Sequence, residues 1–419
     1  MSMKLKSVGG ALIGALLIGL LVTPSSSGAV KAGTSCKKAG LQTTDSGRKY
    51  TCIKQGKKLV WKKGVVVEVV PTVKPTPTPI PTPTPSPSAT VEPPPTPTPP
   101  PTPTFTPPVR PTSFSDLLEK IDGVSYWAWF TSSEKIKEAA SSPIEFEILF
   151  GPNTPLITHN TELAVQNASK LYAGAAAPKK VVAIYFSFKD RAWGQATFAK
   201  YALRPQGNET SQMCQTEVTC WGAMAEVDHK GTGILLMSVN DPSKVDKSHT
   251  SGPLQAHEFA HTYQGSQFTS TIKEANSYCC TKTYLPWWMV EGGATYVEAA
   301  AMHADSFENY KASMARAYGD YLGQNQAQYT KEWFQNFLQP ASTSEWGKPE
   351  YQWKIYTGGA IVDEIFFALK GPDISMKLMR DVATGMTWPE AFKKNFGTSW
   401  NEALPILSEA LAKMIKQKQ

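Results

Sequence analysis

The chain has 419 residues, a formal net charge of +7 and a hydrophobic fraction of 41%. Nineteen of its 33 prolines lie between Pro71 and Pro111, so this stretch cannot form a packed core. The hydrophobic fraction of the rest is sufficient for one sizeable globular domain, which excludes a wholly disordered chain.

Charge is distributed unevenly along the sequence. Residues 31–64 contain ten Lys or Arg and one acid, which gives this segment a local charge of +9. Residues 113–419 carry a net charge of −4, so the larger part of the chain is mildly acidic. Binding of nucleic acid by this part is therefore not supported, because such binding depends on clustered positive charge.

Residues 1–29 have the pattern of a secretory signal peptide. Two lysines precede an apolar run of about fifteen residues, and the small residues Ser27-Gly28-Ala29 then offer a cleavage site. We expect cleavage and export; an uncleaved N-terminal anchor is the alternative. No later run of about eighteen apolar residues occurs, so no membrane span is expected after cleavage.

Residues 30–66 are predicted to form a small basic module. A disulfide between Cys36 and Cys52 would stabilise a domain that is too small to bury enough apolar surface by itself. The sequence of residues 33–64 resembles short modules with a cysteine pair and a tryptophan in secreted bacterial proteins. Its positive charge could bind an anionic cell-envelope polymer or an acidic lipid surface. The alternative is a solvated basic spacer.

Residues 67–112 repeat Thr-Pro and Pro-Pro and are predicted to form a semi-rigid linker of polyproline II type. Residues 113–419 are predicted to form a single α+β domain, because strand patterns come first and helical patterns dominate after residue 252. The predicted strands are Ile144–Phe150, Val181–Phe188 and Gly233–Val239, and the predicted helix between them is Thr161–Tyr172.

The segment His-Glu-Phe-Ala-His at residues 257–261 contains the motif H-E-x-x-H. On a helix, His257 and His261 share one face and can bind the same metal ion. Glu258 would lie beside that ion and could accept a proton from a water molecule. Zinc fits these residues best, because it accepts His and carboxylate ligands and leaves one position open for water. With only six histidines in the chain, the motif is expected by chance about 0.004 times.

Glu291 lies thirty residues after His261, within a second motif, Trp-Trp-Met-Val-Glu-Gly-Gly-Ala-Thr-Tyr-Val-Glu at residues 287–298. Together with H-E-F-A-H-x-x-Q, it resembles the gluzincin metallopeptidases, which include thermolysin-like and aminopeptidase-N-like enzymes, and most closely their peptidase-MA-like secreted members. The resemblance implies a zincin-like fold with an N-terminal sheet, an active-site helix and a C-terminal helical part. It also implies that Glu291 is the third zinc ligand and that Glu298 accepts a hydrogen bond from a ligand histidine.

This assignment has two alternatives. Either glutamate could instead be an ordinary surface residue. A metzincin site would need a third histidine six residues after His261, and Gln267 occupies that position, which excludes it.

The segment Tyr-Thr-Gly-Gly-Ala-Ile-Val-Asp at residues 356–363 resembles the Tyr-x-x-Gly segment of the same family. This resemblance implies that Tyr356 donates a hydrogen bond to the oxyanion of the tetrahedral intermediate; Tyr351 is the second candidate, and a packing tyrosine is the alternative. Residues 387–400 resemble the C-terminal helical part of the family and are expected to pack. The remaining histidines are expected to be structural or on the surface: His159, His229, His249 and His303.

Four further cysteines are expected to form disulfides in an exported protein, with three possible pairings. They are Cys214, Cys220, Cys279 and Cys280. Bridges from the 214–220 loop to the 279–280 pair would join two loops near the cleft. A vicinal bond between Cys279 and Cys280 is the strained alternative.

The main hypothesis is a monomeric zinc metallopeptidase, secreted or associated with the cell envelope, that acts on peptide or protein substrates as an endopeptidase. The strand Gly233–Val239 could lie along the cleft and pair with the substrate, or could be interior. An aminopeptidase of the same clan is less favoured, because no Gly-x-Met-x-Asn signature is found. The alternative from another class is an envelope-binding protein with the same fold and no activity.

Overall fold

The computed structural model divides the chain into two compact units, Met1–Pro99 and Pro100–Gln419. The predicted signal peptide, Cys36 and residues 67–104 lie outside the described residues. The structure describes residues 34–35, 42–45, 48–55, 58–66, 105–154, 161–202, 205–220, 222–240, 252–271, 284–322, 326–339 and 350–417.

The described part of the first unit is an antiparallel three-stranded sheet. Its strands β1 (Gln42–Asp45), β2 (Arg48–Gln55) and β3 (Lys58–Val66) follow one another in chain order. Cys52 is buried on β2, takes part in a disulfide and lies opposite Trp61 of β3. Because Cys36 is not described, the pairing of these two cysteines stays a prediction.

The second unit is α+β, as predicted. In the described residues its strands are β4 (Glu145–Phe150), β5 (Lys180–Phe186), β6 (Ala223–Val227) and β7 (Thr232–Ser238). The sheet has the order β4-β5-β7-β6, in which β4, β5 and β7 are parallel and β6 is antiparallel to β7.

Helices before, between and after these strands supply most of the remaining described structure. The helices that precede residue 252 are α1 (Val124–Glu138), α2 (Thr161–Leu171), α3 (Arg191–Tyr201) and α4 (Glu209–Met213). Those that follow are α5 (Pro253–Thr269), α6 (Trp287–Met302), α7 (Phe307–Leu322), α8 (Lys331–Leu338), α9 (Lys354–Lys370), α10 (Ile374–Ala383), α11 (Trp388–Phe396) and α12 (Trp400–Gln417).

Strand β5 separates two hydrophobic cores, because its successive side chains point to opposite faces of the sheet. The core that it shares with the helices holds Val181, Ala183 and Tyr185, and the smaller core on the other face holds Val182, Ile184 and Phe186. A strand buried on both faces reads as a continuous apolar run, which explains why the sequence of β5 shows no alternation.

The interpretation of Gly233–Val239 as a substrate-pairing strand is wrong. The observed strand β7 is interior, and its backbone is paired with β5 on one side and with β6 on the other. It has no edge left for a substrate. The strand at this end of the described sheet is β6, which packs against α5.

The last residues of the predicted linker pack on the second unit. The indole nitrogen of Trp127 donates a hydrogen bond of 2.7 Å to the carbonyl oxygen of Pro108. Arg110 lies over the ring of Trp127 and donates from Nε to the carbonyl oxygen of Ala368, at 2.8 Å. The chain therefore contacts both α1 and the last turn of α9 before residue 113.

Three further predictions concern this unit. Cys214 and Cys220 form a disulfide, so the bridges from this loop to Cys279 and Cys280 do not form. The latter two cysteines lie outside the described residues.

The segment 387–400 packs as predicted and buries Trp388, Phe392, Phe396 and Trp400. In the described part of the chain, no helix has the length and apolar character needed to cross a membrane.

Candidate metal centre

Helix α5 carries the H-E-x-x-H motif through the interior of the unit. It begins at Pro253, which suits the first helical position because its missing N–H would have no intrahelical partner. The preceding Gly252 has φ of +112°, a left-handed conformation that disfavours residues with a side chain. The helix is buried on nearly all sides, so its polar side chains must find partners within the protein.

His257, His261 and Glu291 form a group that could hold a metal ion. One ligand atom from each residue lies within 4.8 Å of the other two. The same oxygen of Glu291, Oε2, lies 3.4 Å from Nε2 of His257 and 3.3 Å from Nε2 of His261. A four-coordinate ion with bonds of about 2.1 Å separates its ligand atoms by about 3.4 Å, so these spacings fit such an ion.

Each histidine is held by a second contact at its other ring nitrogen. Nδ1 of His257 lies 2.7 Å from Oε1 of Glu298, and Nδ1 of His261 lies 2.7 Å from Oε1 of Gln264. Each oxygen accepts a hydrogen bond from Nδ1, which leaves Nε2 of each histidine as the nitrogen that could bind a metal ion.

Gln264 connects α5 and α6, the two helices that carry the candidate ligands. Its Nε2 donates a hydrogen bond of 2.8 Å to the carbonyl oxygen of Val290, the residue before Glu291. This contact fixes the orientation of the amide and leaves Oε1 facing His261. No role for Gln264 is evident from the sequence, although its position three residues after His261 places it on the same helical face.

The charges in the site favour a cation. Burial opposes protonation of His257, but the carboxylates of Glu291 and Glu298 outweigh this effect and raise the pKa of His257 to about 10. Glu258, which is itself buried, contributes in the same direction. A bound divalent ion would supply the positive charge that these carboxylates favour.

Tyr356 reaches the site from a third helix, α9. Its ring stacks on the imidazole of His257, with centroids 5.9 Å apart and an interplanar angle of 28°. Tyr351, the second candidate, packs against Trp333 and Phe337 at centroid distances of 5.7 and 5.8 Å. The structure thus brings Tyr356, and not Tyr351, next to His257.

The backbones of α6 and α9 touch where they cross. A Cβ on Gly359 would overlap the carbonyl oxygen of Trp288, and a Cβ on Gly292 would overlap the backbone of Gly359. Gly292 follows Glu291, and Gly359 lies three residues after Tyr356. This crossing therefore sets how close the tyrosine comes to the ligand group.

Of the other histidines, the two that the structure describes, His229 and His303, are not part of this group. His229 is exposed, and His303 ends α6, where burial lowers its pKa. His159 and His249 lie outside the described residues. Within the described ranges, the His257, His261 and Glu291 group is the one cluster of this kind.

Comparison with protein-family models, curated proteins and solved structures gave no match to this chain. The function must therefore be inferred from the chemistry of the site itself.

Proposed function

We propose that this chain is a secreted zinc-dependent metallopeptidase of the gluzincin type, which hydrolyses internal peptide bonds. The observation that supports this most strongly is the convergence of His257, His261 and Glu291 within 4.8 Å, with the buried Glu258 next to the first ligand. Two imidazoles and one carboxylate suit zinc, whereas magnesium and calcium prefer oxygen ligands.

Each residue would have a distinct role. His257, His261 and Glu291 would hold the ion, which, when bound, lowers the pKa of a water molecule and polarises the scissile carbonyl. Glu258 would take the proton of the attacking water and deliver it to the leaving amine. The hydroxyl of Tyr356 would donate a hydrogen bond to the oxygen on which negative charge develops.

Strand β6 is the candidate for substrate alignment. It is an edge strand of the described sheet and packs against α5, which carries His257 and His261. An extended substrate would lie along this strand, as it does along the edge strand of related folds. This role replaces the one that the sequence suggested for β7.

The decisive variant is Glu258→Gln, which keeps the shape of the side chain but cannot take a proton. We expect it to bind about one equivalent of zinc and to lose peptide cleavage. His261→Ala should lose the metal itself. Glu308→Gln, on an exposed position of α7, is the matched control and should retain both properties.

The same measurements distinguish a peptidase from the alternative, an inactive binding protein with the same fold. Wild-type protein that binds zinc but cleaves nothing in a mixed peptide library would indicate an inactive binding protein. Cleavage that persists in Glu258→Gln would show that the mechanism is wrong. If the peptides are shortened only from their N-termini, the protein is an aminopeptidase and not an endopeptidase.

We further propose export to the cell envelope and attachment there through the basic residues 33–64. Lys54 and Lys58 of this module are exposed, and an exposed basic face attracts anionic polymers. The full chain should bind to anionic wall material at low salt and detach at high salt, because salt screens such contacts. Retention that does not change with salt would contradict this attachment.

A further inference from the structure

An aromatic stack runs from the metal-binding group to the protein surface. The ring of Tyr356 stacks on His257. The indole of Trp353 stacks in turn on the ring of Tyr356, with centroids 6.0 Å apart and an interplanar angle of 24°. Trp353 precedes α9 and is 46% exposed, whereas His257 is buried. The stack therefore presents an aromatic surface to solvent beside the site.

The position of Trp353 suits contact with a substrate. The two centroid distances, 5.9 and 6.0 Å, place its ring within about 12 Å of the imidazole of His257. An extended peptide advances about 3.3 Å per residue, and its side chains project well beyond its backbone. If the scissile carbonyl of a bound peptide lies between the candidate metal ligands and Tyr356, the side chain next to the scissile bond can therefore contact Trp353.

The chemistry of the indole limits what this side chain can be. Trp353 offers a flat apolar face, and aromatic side chains gain from offset stacking in addition to the burial of their surface. An aliphatic side chain would gain from burial alone, and an acidic one would lose its hydration without finding a positive partner in the indole.

We propose that Trp353 is a specificity-determining residue, which forms the wall of a subsite for a large aromatic side chain next to the scissile bond. This inference rests on the proposed peptidase function and specifies its substrate class. It assigns to Trp353 a role in selecting the substrate, and none in the reaction itself.

The test uses the zinc-loaded full chain and a series of peptides that carry Phe, Leu, Ala, Arg or Asp on either side of one cleavage site. We expect the wild-type protein to prefer Phe over Ala by about tenfold in kcat/KM. Trp353→Ala should bring this ratio close to one, mainly by raising KM for the Phe peptide. Trp353→Phe should keep most of the preference.

Phe105→Ala is the matched control. Phe105 is also exposed and also stacks on a tyrosine, Tyr126, but it lies at the start of the second unit. This variant should leave the ratio unchanged. An equal loss of rate with every peptide in Trp353→Ala would show that Trp353 only supports Tyr356, and a preference for Arg over Phe would indicate recognition of a cation. Either result would overturn the inference.

Binding to the Glu258→Gln variant separates this inference from the proposed function. The same peptides, titrated calorimetrically into the zinc-loaded Glu258→Gln variant, should bind more tightly when they carry Phe than when they carry Ala. The double variant Glu258→Gln, Trp353→Ala should bind both peptides with nearly equal affinity. If the wild-type protein cleaves no peptide but this binding preference is found, the peptidase proposal fails and the subsite stands. If cleavage occurs and Trp353→Ala leaves both ratios unchanged, the subsite fails alone.

Discussion

Gly292 and Gly359 lie back to back where α6 and α9 cross, with no room for a side chain on either residue. Glycine in a helix interior costs about 1 kcal/mol relative to alanine, so each is unfavourable within its own helix. Their benefit is the close approach of the two backbones, which places Tyr356 next to the ligand group.

Replacement of Gly359 by alanine should therefore destabilise the protein, although alanine is the better helix former. We expect Gly359→Ala to lower the free energy of unfolding by roughly 1–3 kcal/mol, since its Cβ would overlap the main chain of Trp288. Urea unfolding of the metal-free protein measures this. In the matched Gly358→Ala, the added Cβ meets the ring of Phe337 at 2.9 Å, which a side-chain movement can relieve, so its loss should be smaller. Equal losses would contradict the importance of the backbone contact.

Loss of the Gln264 amide should weaken zinc binding, because both His261 and the backbone before Glu291 are held by it. We expect Gln264→Ala to raise the dissociation constant for zinc about 10- to 100-fold, measured by competition with a chelator. Gln267→Ala is the control on the same helix, because Gln267 bonds to the carbonyl oxygens of Ala176 and Tyr263 instead. It should change stability and leave zinc affinity almost unaltered. A large loss of affinity in both variants would indicate general disruption of α5.

Removal of the Tyr356 hydroxyl should slow the proposed hydrolysis of peptides without loss of the bound zinc. We expect Tyr356→Phe to lower kcat on the order of 10²-fold, the typical effect of losing one donor to an oxyanion, with an unchanged zinc content. Tyr351→Phe should have little effect on kcat, since its ring packs with Trp333 and Phe337. If instead Tyr351→Phe shows the larger loss, the assignment of the two tyrosines must be exchanged.

The buried carboxyl group of Asp363 should make stability depend on pH. Burial raises its pKa to about 7, against a partial opposing effect of the hydrogen bond that Ser375 donates to Oδ1. Because the folded state then holds its proton more tightly than the unfolded state does, the stability associated with this group is present below about pH 4. It is lost as the pH rises to about 7, on the order of 3–4 kcal/mol in total.

Asp363→Asn tests this dependence, because asparagine stays neutral and can still accept from Ser375. We expect the variant to unfold at nearly the same urea concentration at pH 5 and pH 7.5, once changes common to both proteins are subtracted. The wild-type protein should be less stable at the higher pH. Parallel curves for the two proteins would mean that Asp363 ionises without cost in the folded state.

The grouping of the candidate metal ligands was predictable from short stretches of sequence. The spacing of His257 and His261 is a property of any helix, and Glu291 was found through a motif that surrounds it in the sequence. Strands β4 and β5 were also found from their own residues. In each case the information lies within a few consecutive residues.

Features that depend on pairs of distant segments were not predictable. The order of the sheet places β7 inside and β6 at the edge, and no pattern in either strand states which neighbour it has. The pairing of Cys214 with Cys220 was one of several that the sequence allowed. The exposure of Trp353 likewise depends on the packing around it, and a single sequence does not show this.

The contacts of Arg110 also have a mechanical consequence. Its bond to Ala368 fastens the chain to the last turn of α9, and twelve residues separate that turn from Tyr356, about 18 Å along the helix. A pulling force on the proline-rich segment would act first on the contacts of Pro108 and Arg110 with Trp127 and Ala368. Under such a force, the C-terminal end of α9 would be displaced first, while Tyr356 near its other end would stay stacked on His257.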